Sequence, residues 1–437
     1  MTVEAVPRSL GTLRHTLTAQ VGQSWPLAAA MLASQVLSYL FQLVMSRTLP
    51  APEFGLLNGL MAFSFLIAIP VHTIQLTVAR QTAELAVSSG YARVRRYLRG
   101  DLRRTTPVIL GGLVAYLAVS PLLASFFHSS LLPVLLVGGV SMVGLYLPFA
   151  EGVLQGLQRF RSLAGTILTR YAGKLGFGAM LVVAGMGVEG GFTGMLLANL
   201  VAVLFAFALV SFGFRSAGQQ SGAAADAAAE YPRDAWPTLL TYACVVLLLN
   251  VDVMLARHYL PATGAAHYAI AALLGKIAYY LPGFVVTVMV PKVASARALG
   301  RSTRRLLTAA LLATLAASGV VVLVYTLLPQ QVISILFGAR YASAETATLV
   351  LFYSVAMLIL SVLYLEVHYL LASRLTRPLY GLLAGPAVAL AIMVSRHGSG
   401  LELVGALMMG LLVGLLVVNL LVIGLRRSPR VERPPGQ

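Results

Sequence analysis

Cysteine is nearly missing from this chain. Cys244 is the only one in 437 residues, and it lies inside an apolar run. It forms no intramolecular disulfide and carries no information about redox chemistry. Acidic residues are also scarce, 14 Asp and Glu against 31 Lys and Arg, and all charged residues together make up only 10% of the chain. A large water-soluble protein is excluded by so little charge. His72, His267 and His368 are scattered without metal-ligand spacing, and no metal or other cofactor is expected. No P-loop or other nucleotide motif is present, so nothing in the sequence couples the chain to nucleotide hydrolysis. No basic stretch has a soluble domain to carry it, which argues against nucleic-acid binding despite a net charge of +17.

What the chain does have is apolar sequence, 59% of its residues. The charged islands divide it into runs of about 20 residues, the length of a helix that crosses a bilayer. About twelve spans are expected, in an all-α membrane protein. Alternate loops hold most of the Lys and Arg: Arg93, Arg95, Arg96, Arg99, Arg103 and Arg104, then Arg159, Arg161, Arg215, Arg301, Arg304 and Arg305. Basic loops resist translocation, so these loops and both termini are expected in the cytoplasm and the protein in the inner (plasma) membrane. The same residues are expected to attract anionic membrane lipids. Residues 1 to 24 are polar, with no cleavage site ahead of the first apolar run, so that helix is expected to be retained. Leu10, Leu13, Leu17 and Val21 recur on one face of this segment, as in an amphipathic helix lying on the inner surface.

Two stretches repeat. VMSRTLPAPEFGLLN, from Val44, and VMLARHYLPATGAAHY, from Val253, align Met45 with Met254 and Leu49-Pro50-Ala51 with Leu260-Pro261-Ala262, and bring Arg47 near Arg257. EGVLQGLQR, from Glu151, and EVHYLLASR, from Glu366, each place a Glu eight residues before an Arg. The offsets of about 209 to 215 residues fit two parallel six-helix halves related by a pseudo-two-fold axis along the membrane normal. The expected organisation is a cytoplasmic N-terminal segment (1–24), a first lobe (25–213), a cytoplasmic linker (214–235), a second lobe (236–425) and a cytoplasmic tail (426–437).

The turn SRTLPAPEFGLLNGL, its counterpart NVDVMLARHYLPATGAAHYA and the LQGLQRF segment resemble the multidrug/oligosaccharidyl-lipid/polysaccharide exporter superfamily, and within it the polysaccharide-biosynthesis, Wzx-type flippase branch. Pro-Ala replaces the Gly-Pro usual at the first turn, and His267-Tyr268 stands where a Gly-Tyr-like pair is common. The resemblance implies a secondary transporter that flips a lipid-linked oligosaccharide, a polyprenyl phosphate or diphosphate sugar, by alternating access between its lobes. Glycan-assembly enzymes are then candidate partners. A monomer is expected, since one chain holds both lobes.

Charges inside spans should face a partner or a wet cavity, because each costs about 2.5 to 3.5 kcal/mol at mid-helix. With the fifth span starting near Leu163 and the eighth near Ala265, Lys174 and Lys276 each lie about 16 Å deep, close to the midplane. Both suit a phosphate, as does the forked donor set of Arg170. Tyr171, Tyr279 and Tyr280 are placed to stack on sugars. Glu151 lies at the depth of Arg170, so the alternative is that these two neutralise each other. Glu366 repeats Glu151, but the position equivalent to Arg170 is near Gly385, which leaves Lys276 or a proton as its expected partner. Asp252, with Asn250, lacks a charged counterpart in the first half. Asp252, Asn250 and Glu366 are therefore candidates for coupling to H⁺ or Na⁺, or else hydrogen-bonded packing residues. Arg47 and Arg257 either stabilise the C-termini of their helices or line the outer mouth.

Two other functions compete. A membrane enzyme of glycan assembly would need an acid/base constellation, and the longest outer loop, LPQQVISILFGARYASAE, offers none. A multidrug or organic-cation exporter of the same superfamily would show an acidic, aromatic cavity, whereas the intramembrane excess here is modestly basic.

Overall fold

The computed structural model describes residues 10–216 and 235–427, with side chains from residue 25 onward except at 87–89, 214–216, 235, 298 and 425–427. Residues 1–9, most of the linker (217–234) and most of the tail (428–437) lie outside the described residues. The described residues are helical and contain no strand. In order they form α1 (Leu10–Thr48), α2 (Ala51–Ile67), α3 (Ile69–Phe126), α4 (Leu131–Gly144), α5 (Leu147–Gly156), α6 (Phe160–Leu181), α7 (Gly187–Ser216) and α8 (Ala235–Tyr259). There follow α9 (Ala262–Tyr280), α10 (Gly283–Ala298), α11 (Arg304–Leu327), α12 (Pro329–Phe337), α13 (Ala344–Ala372), α14 (Ala384–Ser395) and α15 (Gly400–Arg427). Residues 10–24 continue into the first span as a single helix.

Among the described residues, ten stretches are long and apolar enough to cross a membrane, and α2 with the first part of α3, bent by 41°, adds an eleventh. One stretch, Phe160–Gly213, has 54 residues, about 80 Å of helix and far more than one crossing needs. It folds back at a π-helical turn, Val182–Met186, where Gly185 and Gly187 take φ of +91° and +55°. Only glycine adopts such angles without strain. Counted as a hairpin, this stretch brings the crossings to the expected twelve. The chain is a multi-pass membrane protein.

Both repeated motifs have a local structural meaning. Pro50 and Pro261 have almost the same backbone, φ −56° and ψ 149° against φ −52° and ψ 149°, and each precedes the first residue of a helix. Each proline carbonyl accepts the first helical bond, from Phe54 N at 3.0 Å and from Ala265 N at 2.9 Å. The Glu-containing pair ends helices in a shared way. Gln158 and Arg374 both sit at φ 55°, and Arg159 N donates to Leu154 O at 2.8 Å as Leu375 N does to Leu370 O at 2.9 Å. These are Schellman closures, built here on non-glycine residues.

Two compact units make up the chain. Of the described residues, unit 1 holds those up to Met45, Pro70–Pro121 and those from Leu135 to the end of α7; unit 2 holds Ser46–Ile69, Leu122–Val134 and those from α8 onward. Within unit 1, Val94, Leu98, Phe149, Val153, Leu163 and Ala206 belong to one buried cluster. Within unit 2, α2 packs against α8 and α9. A Cβ on Gly55 would lie 3.0 Å from Ala266 N, and one on Gly59 would lie 2.7 Å from Arg257 Cβ. Their four-residue spacing is the small-residue pattern that lets helices approach closely where no hydrophobic effect drives them together.

Candidate functional site

In unit 1 the polar cluster is built on α1, α5 and α6. Glu151 on α5 is 3% exposed, and the nearest positive charge acting on it is Arg170 on α6. Glu151 Oε1 and Arg170 Nε nevertheless have no hydrogen-bond partner, so the two are electrostatic neighbours rather than a closed ion pair. The Arg170 guanidinium stands 5.0 Å from the ring centroid of Tyr171. One turn further along, half-buried Lys174 places Nζ 4.5 Å from the ring centroid of Phe41 on α1. That contact is a cation–π interaction, and the charge that acts on Lys174 is another cation, Arg170. One acid thus faces two bases.

In unit 2 the cluster is built on α8, α9 and α13. Asp252 is 0% exposed, and Tyr268 Oη donates to its Oδ2 at 2.9 Å. Lys276 Nζ lies 3.5 Å from Asn250 Oδ1 and supplies the positive charge that acts on Asp252. Asp252 therefore has a cationic neighbour after all, twenty-four residues away on the antiparallel helix. Tyr353 on α13 meets the Tyr268 ring edge-on, centroids 5.8 Å apart. Asp252 Oδ1 and Tyr353 Oη are both buried and make no hydrogen bond of ordinary geometry, but the two side chains interact with each other. Lys174 and Lys276 each stand fourteen residues after the first residue of their helix, about 21 Å along it, because both helices begin three residues earlier than expected.

The partner expected for Glu366 is corrected. Its Oε2 accepts from Asn419 Nδ2 on α15 at 2.9 Å, while Lys276 is engaged with Asn250. Tyr279 is buried against the rings of Tyr280 and Tyr364, at 5.2 and 5.3 Å, and Tyr280 is 55% exposed. Arg47 and Arg257 reach backbone carbonyls of other helices rather than the C-termini of their own. Arg257 donates to Phe127 O and His128 O, each at 3.0 Å, and thereby caps the C-terminus of α3. Arg47 donates to Ile335 O at 2.6 Å, and Arg340 donates to Ser46 O and Leu49 O at the end of α1. Sequence reasoning missed Phe41, Tyr268, Tyr353 and Asn419. Their only signal was polarity or aromaticity inside an apolar run.

The unit 2 cluster makes a stability prediction. Asp252→Asn removes the negative charge that acts on Lys276 and is expected to lower Tm. The double variant Asp252→Asn with Lys276→Met leaves no unpaired charge and is expected to melt above the single variant, read as Tm of the purified protein. Equal Tm values would mean that the two charges are not coupled.

No family model matches the chain, and no curated protein matches it. Solved structures do. The lipid II flippase MurJ, in an inward closed conformation, superposes with a TM-score of 0.72 at 12% identity, over 91% of this chain and 87% of that one. The fold is the MurJ/MATE transporter fold. An inward-facing multidrug resistance MATE family transporter of the MOP superfamily follows at 0.66 and 13%, over 90% of this chain and 96% of that one. A MATE structure in complex with MaL6 gives 0.59 and 14%, over 93% and 97%. At these identities the MurJ/MATE likeness concerns the helical scaffold, and the side chains described above are this chain's own.

Proposed function

We propose that the protein flips a lipid-linked oligosaccharide, joined to a polyprenyl phosphate or diphosphate, from the inner to the outer leaflet of the plasma membrane by alternating access. It is then a secondary transporter rather than an enzyme, with cytoplasmic termini and with lobes bounded near residues 25–213 and 236–425. The observation that carries this reading is Lys174, an intramembrane cation that lies over the Phe41 ring and feels the charge of a second cation, Arg170. Such a site is satisfied by an anion from outside the protein, and a lipid phosphate supplies one with several acceptor oxygens. In this reading Lys276 and Arg170 contribute further donors, and Tyr171 and Tyr280 meet the sugar. Asp252, Asn250 and Glu366 hold the coupling H⁺ or Na⁺. The fold it shares with a lipid II flippase fits this reading.

A second reading, an ion-coupled multidrug exporter, is favoured by the MATE likenesses and by the acid–tyrosine cluster at Asp252. Proteoliposomes carrying a fluorescent polyprenyl-diphosphate sugar decide between them, with a membrane-impermeant quencher reporting the leaflet. The flippase reading expects redistribution of the label that depends on the protein. Organic-cation transport without such redistribution would establish the second reading.

A further inference from the structure

Gly90–Phe126 is one helix of 37 residues, about 55 Å long, with an apolar part long enough to cross the hydrocarbon core, which needs about 30 Å. Its first third therefore stands outside the acyl chains. Gly90 separates this helix from the preceding segment with φ 74° and ψ 176°. Beyond it the protruding part has two unlike faces. Val94 and Leu98 are buried in the unit 1 core, which holds the helix in place. Arg95, Arg96, Arg99, Arg103 and Arg104 are all exposed. The one acid between Glu84 and Glu151 is Asp101, half-buried and accepting from Tyr97 Oη at 3.4 Å.

The arginine face does not stop at the membrane edge. Arg95, Arg99, Arg103, Pro107, Leu110 and Val114 follow one another at steps of three or four residues, on one side of the helix, and all are exposed. Val108, Leu110 and Val114 are 71, 52 and 66% exposed, an apolar surface at membrane depth that acyl chains cover. A lipid lying there carries its headgroup to the level of Arg103, Arg104 and Arg99. Guanidinium groups match phosphate oxygens with paired hydrogen bonds, and Arg95, Arg99 and Arg103 form an exposed row of them in line with the apolar surface.

We propose that this face of α3 is a binding site for anionic phospholipids, the arginines taking the phosphate headgroups of the same lipids whose chains cover Val108, Leu110 and Val114. The continuity of the charged and lipid-facing surfaces favours a lipid over an acidic protein. Bilayer lipid is the source, and none of these residues belongs to the clusters around Lys174 and Lys276.

The test uses the full chain, purified and loaded with equal phosphatidylglycerol and phosphatidylcholine, with retained lipid counted by native mass spectrometry. Wild type is expected to prefer phosphatidylglycerol by about tenfold or more. Replacing all five arginines by Gln is expected to bring that preference close to one. Replacing Arg301, Arg304 and Arg305 by Gln, charges exposed elsewhere, is expected to lower it far less. Loss of five arginines also weakens the topology signal, so Arg99→Gln with Arg103→Gln, which keeps the other basic residues, is measured alongside and is expected to lose about half of the preference on a logarithmic scale. A preference that survives in both α3 variants, or falls as far in the Arg301/Arg304/Arg305 variant, overturns the proposal.

Discussion

Replacing Lys174 and Lys276 together by alanine is expected to lower the rate of lipid-linked sugar redistribution by at least about a hundredfold. Each lysine is expected to give a phosphate a charge-assisted hydrogen bond of about 1.5 to 3 kcal/mol, and two such losses compound. The two single variants should differ in stability. Arg170 repels Lys174, so removal of Lys174 relieves a repulsion and is expected to leave Tm unchanged or raise it. Removing Lys276 strips the positive charge from beside buried Asp252 and is expected to lower Tm. In cells the double variant is expected to accumulate the lipid-linked intermediate on the cytoplasmic face at normal protein level. If a folded, normally inserted double variant still supports polymer export, both lysines are structural, and the multidrug reading is the one to pursue.

Gly194→Leu is expected to have the largest effect on folding. Gly194 on α7 faces Gly178 on α6 so closely that an added Cβ would lie 2.3 Å from Gly178 N and 2.4 Å from Gly178 Cα. Both obstacles are backbone, so no rotamer change relieves the clash and the α6–α7 hairpin must open. Overpacking costs about 1 to 3 kcal/mol where side chains can adjust, and here the loss is expected at or above the top of that range. The control is Gly176→Ala on α6, where nothing stands within 4 Å of the added Cβ. That change is expected to be neutral or to stabilise by up to about 1 kcal/mol, since alanine is the better helix former. Size-exclusion profiles and Tm of the two purified variants separate the outcomes. A monodisperse Gly194→Leu protein with wild-type Tm would mean that the two helix backbones do not touch.

The candidate site was legible in kind more than in arrangement. Lys174, Lys276, Arg170, Glu151, Asp252 and Glu366 stand out in sequence because charge is rare in apolar runs, and depth follows from counting residues along a helix. The neighbours they meet were not legible. Glu366 meets Asn419, fifty-three residues on, in place of Lys276. Asp252 has Tyr268 and the Lys276 charge beside it, and Lys174 lies over Phe41. Each of these depends on which face of one helix turns toward which face of another, and many azimuths satisfy the same hydropathy.

The sequence by itself determined the membrane as solvent and, to within a few residues, the runs that become helices. Those properties are local: a run's transfer free energy depends on its own residues, and Pro50 and Pro261 impose the same φ wherever they are. Only the tertiary structure decided that Ser46–Ile69 packs in the same unit as α8 and α9, that Gly55 and Gly59 are points of close approach, and that Arg257 closes the end of α3. In a bilayer the apolar faces of all helices are equally well solvated by lipid. Pairing is therefore chosen by close backbone approach and by a few hydrogen bonds between residues far apart in the chain, and neither leaves a periodic mark on the sequence.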